Sequence, residues 1–259
     1  MSDQRVDYDR IAPIYNRRFE GQGQQGAAVA ILSLAQALGA RRILEVGCGT
    51  GRWLADLRPV TDQLYGLDLS AGMLRQAWEQ QGAGAYLIQG RAEQLPFPDA
   101  CFDLVYCVNA IHHFNQQRAF IFQARRLLRP GGALAVIGLD PRQHRDRWYI
   151  YDYFDGTFET DLARFPSWGA VLDWMIAANL APVEWRPVER ILDPKIGPAV
   201  LDDPFLKKDA TSQLALLTDK EYTAGLRRLV AALDAAGAAG ETLTLHVEIL
   251  MRMLVGRVA

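Results

Sequence analysis

The pattern of apolar and polar positions divides the first 140 residues into short alternating elements. Compact apolar runs predict strands, and they lie at residues 42–46, 63–68, 85–89, 102–108 and 133–139. Stretches with helical periodicity precede or separate them, at residues 8–19, 27–38, 51–57, 71–80 and 116–128. Because strands separated by helices favour a mostly parallel sheet covered on both faces, the pattern predicts an α/β fold.

The second half of the chain is less regular. We predict helices at residues 167–178 and 219–239, and strands at residues 183–188 and 242–255. The two strands are expected to pair like a hairpin at one sheet edge, which completes a doubly wound sheet of seven strands with an antiparallel last strand. Residues 140–166, which are loop-like and aromatic, and residues 192–217 are then insertions, and we predict that they act as lids.

Domain boundaries follow from one flexible segment near the start of the chain. The Gly- and Gln-rich stretch at residues 21–26 reads as a joint between the first and second helices. We therefore divide the chain into a cap helix and joint at residues 1–26 and one domain at residues 27–259, whose lid segments lie at about 140–166 and 192–217.

Composition and charge narrow the class of protein. The 259 residues are enough to bury a core, and no apolar run is long enough to span a membrane. The polar start of the chain has no secretory signal pattern, and the three cysteines, Cys48, Cys101 and Cys107, lack the spacing of a disulfide framework or a zinc site. A net charge of −2 disfavours nucleic acid as a partner. We predict a cytoplasmic protein that acts on a small molecule, without a membrane or nucleic-acid partner.

A glycine-rich turn after the first predicted strand is the sharpest chemical signal. Gly47, Gly49 and Gly51 follow the buried run directly, and a helix follows them. Glycine suits a tight turn that a ligand approaches closely, because a Cβ would collide there. The spacing is G-x-G-x-G, whereas dinucleotide sites favour G-x-G-x-x-G. Arg52 and Trp53 stand where a phosphate loop needs Lys and Ser or Thr, so neither of those sites fits.

Asp68 is the second part of this pattern. It ends the second predicted strand, about twenty residues after the glycines, where a carboxylate can accept hydrogen bonds from both ribose hydroxyls. An acid at this place can instead cap the next helix, but Ser70 is better placed for that role. We therefore assign Asp68 to ribose binding.

These motifs resemble the class I methyltransferases that use S-adenosylmethionine (SAM), and in particular the ubiquinone/menaquinone-biosynthesis subgroup (methyltransferase type 11). The similarity runs over roughly residues 8–139 and rests on residues 45–51, Asp68 and residues 90–99, 102–105, 111–114 and 128–132. It implies a Rossmann-like fold, SAM as cofactor, and methyl transfer to an O, N or C atom of a small-molecule metabolite.

The resemblance also implies which residues bind the cofactor. They are Tyr15, Glu45, Gly47, Cys48, Gly49, Asp68, Leu69, Met73, Arg91, Ala92 and Asn109. Glu45 would hold the ammonium of the methionine part, directly or through water, while Leu69 and Met73 would pack on the adenine. Arg91 departs from the family, which often has an Asp there to accept a hydrogen bond from the adenine amino group. Arginine cannot accept one.

Two adjacent histidines are the candidate catalytic groups. His112 and His113 follow the fourth predicted strand, at the sheet edge where ligands bind in α/β folds, and imidazole titrates near neutral pH. The alternative is that the pair shapes the turn and packs the core. His144 is a further histidine, in a polar segment where a solvated side chain is expected. No paired acids for a metal are apparent.

Aromatic residues suggest where the acceptor binds. Tyr8 and Tyr15 lie seven positions apart, on one helix face, and the resemblance implies a cap over the SAM pocket; ordinary packing is the alternative. The aromatic stretch at residues 148–155 could wall an acceptor pocket, or could fill a core or a homodimer interface. Cys107, inside an apolar strand, is expected to be a buried thiol and not a nucleophile.

Two other functions compete with a methyltransferase. A SAM-binding sensor or partner subunit without transferase activity would show the same binding motifs, because binding and chemistry use largely separate residues. An oxidoreductase with a nucleotide cofactor is disfavoured by the glycine spacing.

Overall fold

We describe a computed structural model that covers residues 6–19, 25–81, 84–143 and 146–259. Most of the predicted joint at residues 21–26 and His144 lie outside the described residues. Ten strands are assigned within these ranges: β1 Arg42–Val46, β2 Gln63–Asp68, β3 Tyr86–Gln89, β4 Phe102–Val108, β5 Leu128–Gly138, β6 Arg147–Trp148, β7 Val183–Leu192, β8 Lys195–Ile196, β9 Thr244–Leu245 and β10 Val247–Arg257.

Ten α-helices are assigned within the same ranges: α1 Tyr8–Ile11, α2 Gly26–Leu38, α3 Arg52–Ala55, α4 Ala71–Gln81, α5 Gln117–Leu127, α6 Tyr149–Tyr153, α7 Thr157–Arg164, α8 Trp168–Ala177, α9 Ser212–Ala215 and α10 Asp219–Ala238. A 3₁₀ helix continues α1 over Ala12–Phe19. Ser70 caps α4 as expected, because its hydroxyl accepts a hydrogen bond from the Met73 N–H at 3.0 Å. None of the described helices is both long and apolar enough to cross a membrane.

The main sheet confirms the predicted architecture. Its order is β3-β2-β1-β4-β5-β10, with parallel pairing from β3 to β5. The last strand, β10, runs antiparallel between β5 and β7, and the short β6 pairs with its first residues. Seven long strands thus form a Rossmann-like sheet, and β7 and β10 pair at one edge as predicted.

Alternate residues of each central strand face opposite layers of helices. In β1, Ile43 packs with α2 and α3, and its neighbour Leu44 packs with α5 and α8; both side chains are fully buried. Because both faces are covered, the central strands have apolar residues on both faces and not on alternate positions only. This double burial explains why the sequence predicts the central strands well.

The predicted loop at residues 140–166 is wrong in part, because it contains α6 and α7. Tyr149 and Ile150 of α6 and the next residue after the helix, Phe154, are buried in a third cluster with Val200 and Leu206 of the second insertion. The helices are five and eight residues long, too short for a periodic pattern to be recognised. The two insertions thus share one core beside the sheet.

The start of β5 also differs from the prediction. Residues 130–132 were expected to end a helix before a strand at residue 133, whereas β5 begins at Leu128 and includes them. Gly131 has a φ of +78°, and the register between β4 and β5 shifts between Phe102 and Leu104. β5 begins at Leu128 because Leu128 pairs with Phe102 of β4. The start of β5 thus depends on a residue 26 positions away in the sequence.

Candidate active site

A cavity of about 520 Å³ opens at the carboxyl ends of β1, β2 and β4. In parallel sheets this edge is where ligands bind. The cavity brings together eleven of the thirteen residues predicted for the site, which are Tyr15, Gly47, Gly49, Asp68, Leu69, Met73, Arg91, Ala92, Asn109, His112 and His113.

The glycine turn forms one wall through its bare backbone. The Gly47 and Cys48 N–H groups both donate to the Leu67 carbonyl, at 2.7 and 3.1 Å, so the turn is tied to β2. Gly47 and Gly49 have φ of +74° and +53°, in the region that favours glycine. A Cβ on Gly47 would lie 2.5 Å from the Ala110 Cβ. Both the conformation and the space therefore require glycine at position 47.

Asp68 orients the turn and faces the cavity. Its carboxylate accepts from the Gly49 N–H at 2.8 Å and from the Ser70 N–H at 2.9 Å. Burial raises the pKa of Asp68, and these backbone donors oppose the rise. Each carboxylate oxygen has a further lone pair, so the group can still accept hydrogen bonds from a diol.

Glu45 and Cys48 are the two predicted residues whose side chains do not line the cavity. Glu45 is fully buried behind the turn, where its carboxyl accepts from the Tyr106 hydroxyl at 3.1 Å and its other oxygen, Oε1, has no partner among the described residues. Burial raises the pKa of Glu45 well above its usual value. The Cys48 sulfur lies in the core beside Gly66, and burial raises its pKa as well.

The segment after β3 supplies another wall and one residue that the sequence analysis missed. Ala92 is buried, while the Arg91 side chain is about half exposed and its Nε lies 3.8 Å from Glu93 Oε2. Glu93 lines the cavity and also accepts from the Asn115 N–H at 2.6 Å. The only available signal for Glu93 was its place in the family-like segment at residues 90–99.

The N-terminal segment closes over the cavity. The Asp9 carboxylate accepts from the Ser70 hydroxyl at 2.8 Å and from the Gly72 N–H at 2.6 Å, and these bonds lower the pKa of Asp9. Ile11 packs on Met73 beside the two tyrosines of this segment. On the other side, Arg10 pairs with Asp209 of the second insertion at 2.5 Å. The N-terminal segment is therefore attached both to the start of α4 and to the second insertion.

A second cavity of about 180 Å³ adjoins the first. The two share five wall residues, which are Tyr8, Tyr15, Asn109, His112 and His113. Further walls come from β7, β10 and both insertions, for example Ile191, Trp148 and Phe205. Asn109 has a φ of +47°, uncommon for a non-glycine residue, at the point where the cavities meet.

The two histidines differ in their surroundings. The Nε2 atom of His113 lies 2.7 Å from the Tyr8 hydroxyl. His112 stacks on Phe165, with ring centroids 3.8 Å apart, and burial lowers its pKa well below the usual value. Cys107 is buried as expected, and burial raises the pKa of its thiol.

Arg164 is a second wall residue that sequence reasoning missed. It belongs to α7, lines the first cavity and pairs with the fully buried Asp161 at 2.6 Å. Asp161 also accepts from Tyr151 and from Gln213 of the other insertion, at 2.7 and 2.6 Å. No sequence signal was available, because residues 140–166 were predicted as a loop.

Comparison with known proteins shows which proteins this chain resembles. Residues 44–136 match a family described as a methyltransferase domain. The malonyl-[acyl-carrier protein] O-methyltransferase of Pectobacterium atrosepticum is 32% identical over 154 residues, which are 60% of this chain and 60% of that protein. The fatty-acid O-methyltransferase of Mycolicibacterium smegmatis is 36% identical over 113 residues, 42% of this chain and 40% of that protein. The chain thus matches about half of the length of these relatives.

A solved structure shows the same fold. The putative methyltransferase from an antibiotic biosynthesis pathway of Anabaena variabilis has a TM-score of 0.66 at 24% identity, covering 88% of this chain and 96% of that one. The motif order, the glycine turn with its acid and the family match agree. Residues 44–136 are therefore similar to a methyltransferase domain, and the chain has the fold of this solved structure.

Proposed function

We propose that the protein transfers the methyl group of SAM to an oxygen, nitrogen or carbon atom of a small-molecule acceptor. The observation that carries this proposal is that two cavities meet at one set of side chains, including Tyr8, Asn109 and His112. The first cavity has the glycine turn and the acid that suit the cofactor, and the second has a largely apolar wall. Methyl transfer needs a donor and an acceptor aligned across such a junction.

Several features of the first cavity support its assignment to SAM. Its volume, about 520 Å³, falls in the usual range of roughly 300–1,000 Å³ for small-molecule sites. Gly49 lacks a Cβ, and nothing lies within 4 Å of where one would be, so an amino-acid moiety can approach the backbone there. We propose that Asp68 binds the ribose and that Leu69, Met73 and Ala92 contact the adenine. Arg91 supplies no hydrogen-bond acceptor there.

The buried position of Glu45 narrows its proposed role in binding the cofactor. Because its side chain lies behind the turn, we propose that it acts on the ammonium of the methionine part through water and not directly. Its Oε1 has no partner among the described residues, which supports this proposal, since buried polar atoms normally bind protein or water. Cys48 would then contribute its backbone only.

SAM supplies a methyl group on a positively charged sulfur, so the donor is already activated. The protein then has to orient the acceptor, exclude water and accept a proton where the acceptor carries one. The N-terminal segment covers the first cavity and excludes water from it, and His112 or His113 is the proposed proton acceptor.

We also propose that residues 1–26 form the cap and that the insertions at 140–166 and 192–217 form the acceptor side of one domain at 27–259. A cytoplasmic location and a possible homodimer stay predictions.

The test is a two-part assay of binding and turnover. We expect calorimetry to show SAM binding that NAD does not displace, and methyl-labelled SAM to give S-adenosylhomocysteine and a labelled product only when a metabolite extract is added. Malonyl-[acyl-carrier protein] and a fatty acid are separate arms, chosen from the names of the relatives. SAM binding without product in any arm would favour the sensor, and the absence of SAM binding would refute the proposal.

A further inference from the structure

The His112 side chain has no hydrogen-bond partner among the residues that the structure describes. The side chain is only 9% exposed and lines both cavities. Within the described part of the chain, no hydrogen bond reaches its ring nitrogens, whereas His113 is bonded to Tyr8. Because buried polar groups normally have a hydrogen-bond partner, the His112 ring is placed to bind a ligand at the junction.

The ring is uncharged at neutral pH, because burial lowers the pKa of His112, and the nearby His113 and Arg164 lower it further. A neutral imidazole has one N–H donor and one nitrogen acceptor. It can therefore accept a hydrogen bond from a hydroxyl or an amine, but it offers no positive charge to an anion.

The other charged groups of the second cavity are acidic. Asp193 and Asp203 line it, and the described lining residues include no lysine or arginine. Lys195 does not line the cavity, but it lies 2.7 Å from Asp193 and 3.9 Å from Asp203. The formal charges of Asp193, Asp203 and Lys195 therefore sum to −1. An anion entering this cavity would lose its hydration and face a net negative charge.

The rest of the wall suits an apolar body. Trp148, Phe205 and Phe165 bring aromatic rings to it, and Ile249 of β10 is one of several aliphatic side chains. Such walls stabilise apolar groups through burial, and a few polar groups set the orientation. The acceptor's polar group would then be oriented by His112, at the junction with the first cavity.

We propose that the acceptor is an uncharged hydroxyl or amine on an apolar body, that this group donates a hydrogen bond to His112, and that the cavity disfavours ionised carboxylates. The inference rests on the proposed function and narrows its substrate class. The proposed substrate class differs from that of the fatty-acid O-methyltransferase, which this chain resembles over 113 residues. That relative acts on a molecule with a carboxyl group.

The proposed methyl transfer involves only the acceptor, SAM, His112 and water. A lone pair of the acceptor oxygen or nitrogen forms the bond to the methyl carbon while the carbon–sulfur bond breaks, and its electron pair goes to sulfur. The acceptor's proton passes to the free nitrogen of His112 and then to water. Nothing is oxidised or reduced.

The first test measures binding and not turnover. Calorimetry at pH 7.5, with S-adenosylhomocysteine present, compares 4-propylphenol, 4-propylaniline and 4-propylbenzoate, which share one apolar body. The phenol is uncharged and the benzoate ionised at this pH, as the tyrosine and carboxyl pKa values indicate. We expect the phenol and the aniline to bind at least tenfold more tightly than the benzoate. Benzoate binding as tight as the phenol, or no binding of any probe while S-adenosylhomocysteine binds, would overturn the substrate class and leave the proposed function standing.

A substitution at His112 tests its role directly. His112→Phe keeps an aromatic ring against Phe165 and removes both nitrogens, so we expect phenol binding to weaken about tenfold while S-adenosylhomocysteine affinity changes less than threefold. His246→Phe makes the same change at an exposed site outside both cavities and should alter neither. His112→Gln, which retains a donor and an acceptor, should restore part of the phenol affinity. Unchanged phenol binding in a folded His112→Phe protein would overturn the role of His112.

Removing a carboxylate from the second cavity should increase its affinity for an anion. Asp193→Asn removes one carboxylate and leaves Lys195 with less compensation, so we expect benzoate affinity to rise at least threefold. Asp202→Asn, at an exposed position outside the cavity, is the matched control and should leave it unchanged. Failure of the protein to bind S-adenosylhomocysteine at all would instead count against the proposed function.

Discussion

The Tyr8 hydroxyl lies 2.7 Å from Nε2 of His113, and the two rings meet edge to face with centroids 5.1 Å apart. This contact joins the N-terminal segment to the turn after β4, across 105 positions of sequence. Since both residues line both cavities, the contact closes the cap over the junction.

We predict that Tyr8→Phe loosens this cap. The ring remains, but one hydrogen bond is lost, which typically costs about 0.5–1.5 kcal/mol. S-adenosylhomocysteine should therefore bind roughly two- to tenfold more weakly in calorimetry. Tyr86→Phe, on an exposed ring of β3, is the control. Equal losses in the two variants would mean that the Tyr8 hydroxyl has no special part in closing the site.

Asp68→Ala is expected to weaken SAM binding by about 1–3 kcal/mol, because the ribose hydroxyls lose their acceptor and the turn loses its bond to Gly49. Titration calorimetry measures the change, and Asp62→Ala, at an exposed site before β2, should bind as the unmodified protein does. Full affinity in the Asp68 variant would contradict the ribose assignment.

Gly47→Ala separates backbone strain from steric blockage. Both Gly47 and Gly131 have positive φ, but a Cβ on Gly131 meets nothing within 4 Å, whereas one on Gly47 lies 2.5 Å from the Ala110 Cβ. Each variant should lose about 1 kcal/mol of stability or more through its backbone. We expect only Gly47→Ala to abolish detectable SAM binding in addition, as urea unfolding and calorimetry together would reveal. Intact binding there would show that SAM binding does not depend on the conformation of the turn at Gly47.

The pH dependence of stability should report on His112. Its pKa is lowered in the folded protein, so the unfolded chain binds the proton more readily and stability falls as pH drops below about 6.5. Between pH 7.5 and 5.5 this one group removes up to about 1.4 kcal/mol. Urea unfolding of His112→Phe should therefore show a smaller loss over that interval, while His246→Phe should follow the unmodified protein. The same slope in both variants would show that His112 is not buried in its neutral form.

Much of the fold could be predicted because the central strands are buried on both faces. β1, β2 and β4 have the bounds that their apolar runs predict. The helices α6 and α7 could not be predicted in the same way. Their burial depends on contacts with the second insertion, which lies about fifty residues further along the chain. The sequence pattern within residues 140–166 contains no information about which distant residues they pack against.

The candidate site was predictable to a similar degree. Gly47 and Asp68, which both line the cavity, could be predicted for the site because a tight turn and a diol each favour a particular residue type. Glu93 and Arg164 carried no such requirement. Their place in the wall follows from how segments distant in sequence pack at one edge of the sheet.

By itself, the sequence determined the central strands with the helices between them, the glycine turn and its acid, because each is encoded in a short stretch by burial or by backbone conformation. Only the tertiary structure decided that Glu45 faces the core and that the two histidines have different surroundings. Neighbouring residues have the same local pattern, and their environments differ only through what the rest of the chain packs against each of them.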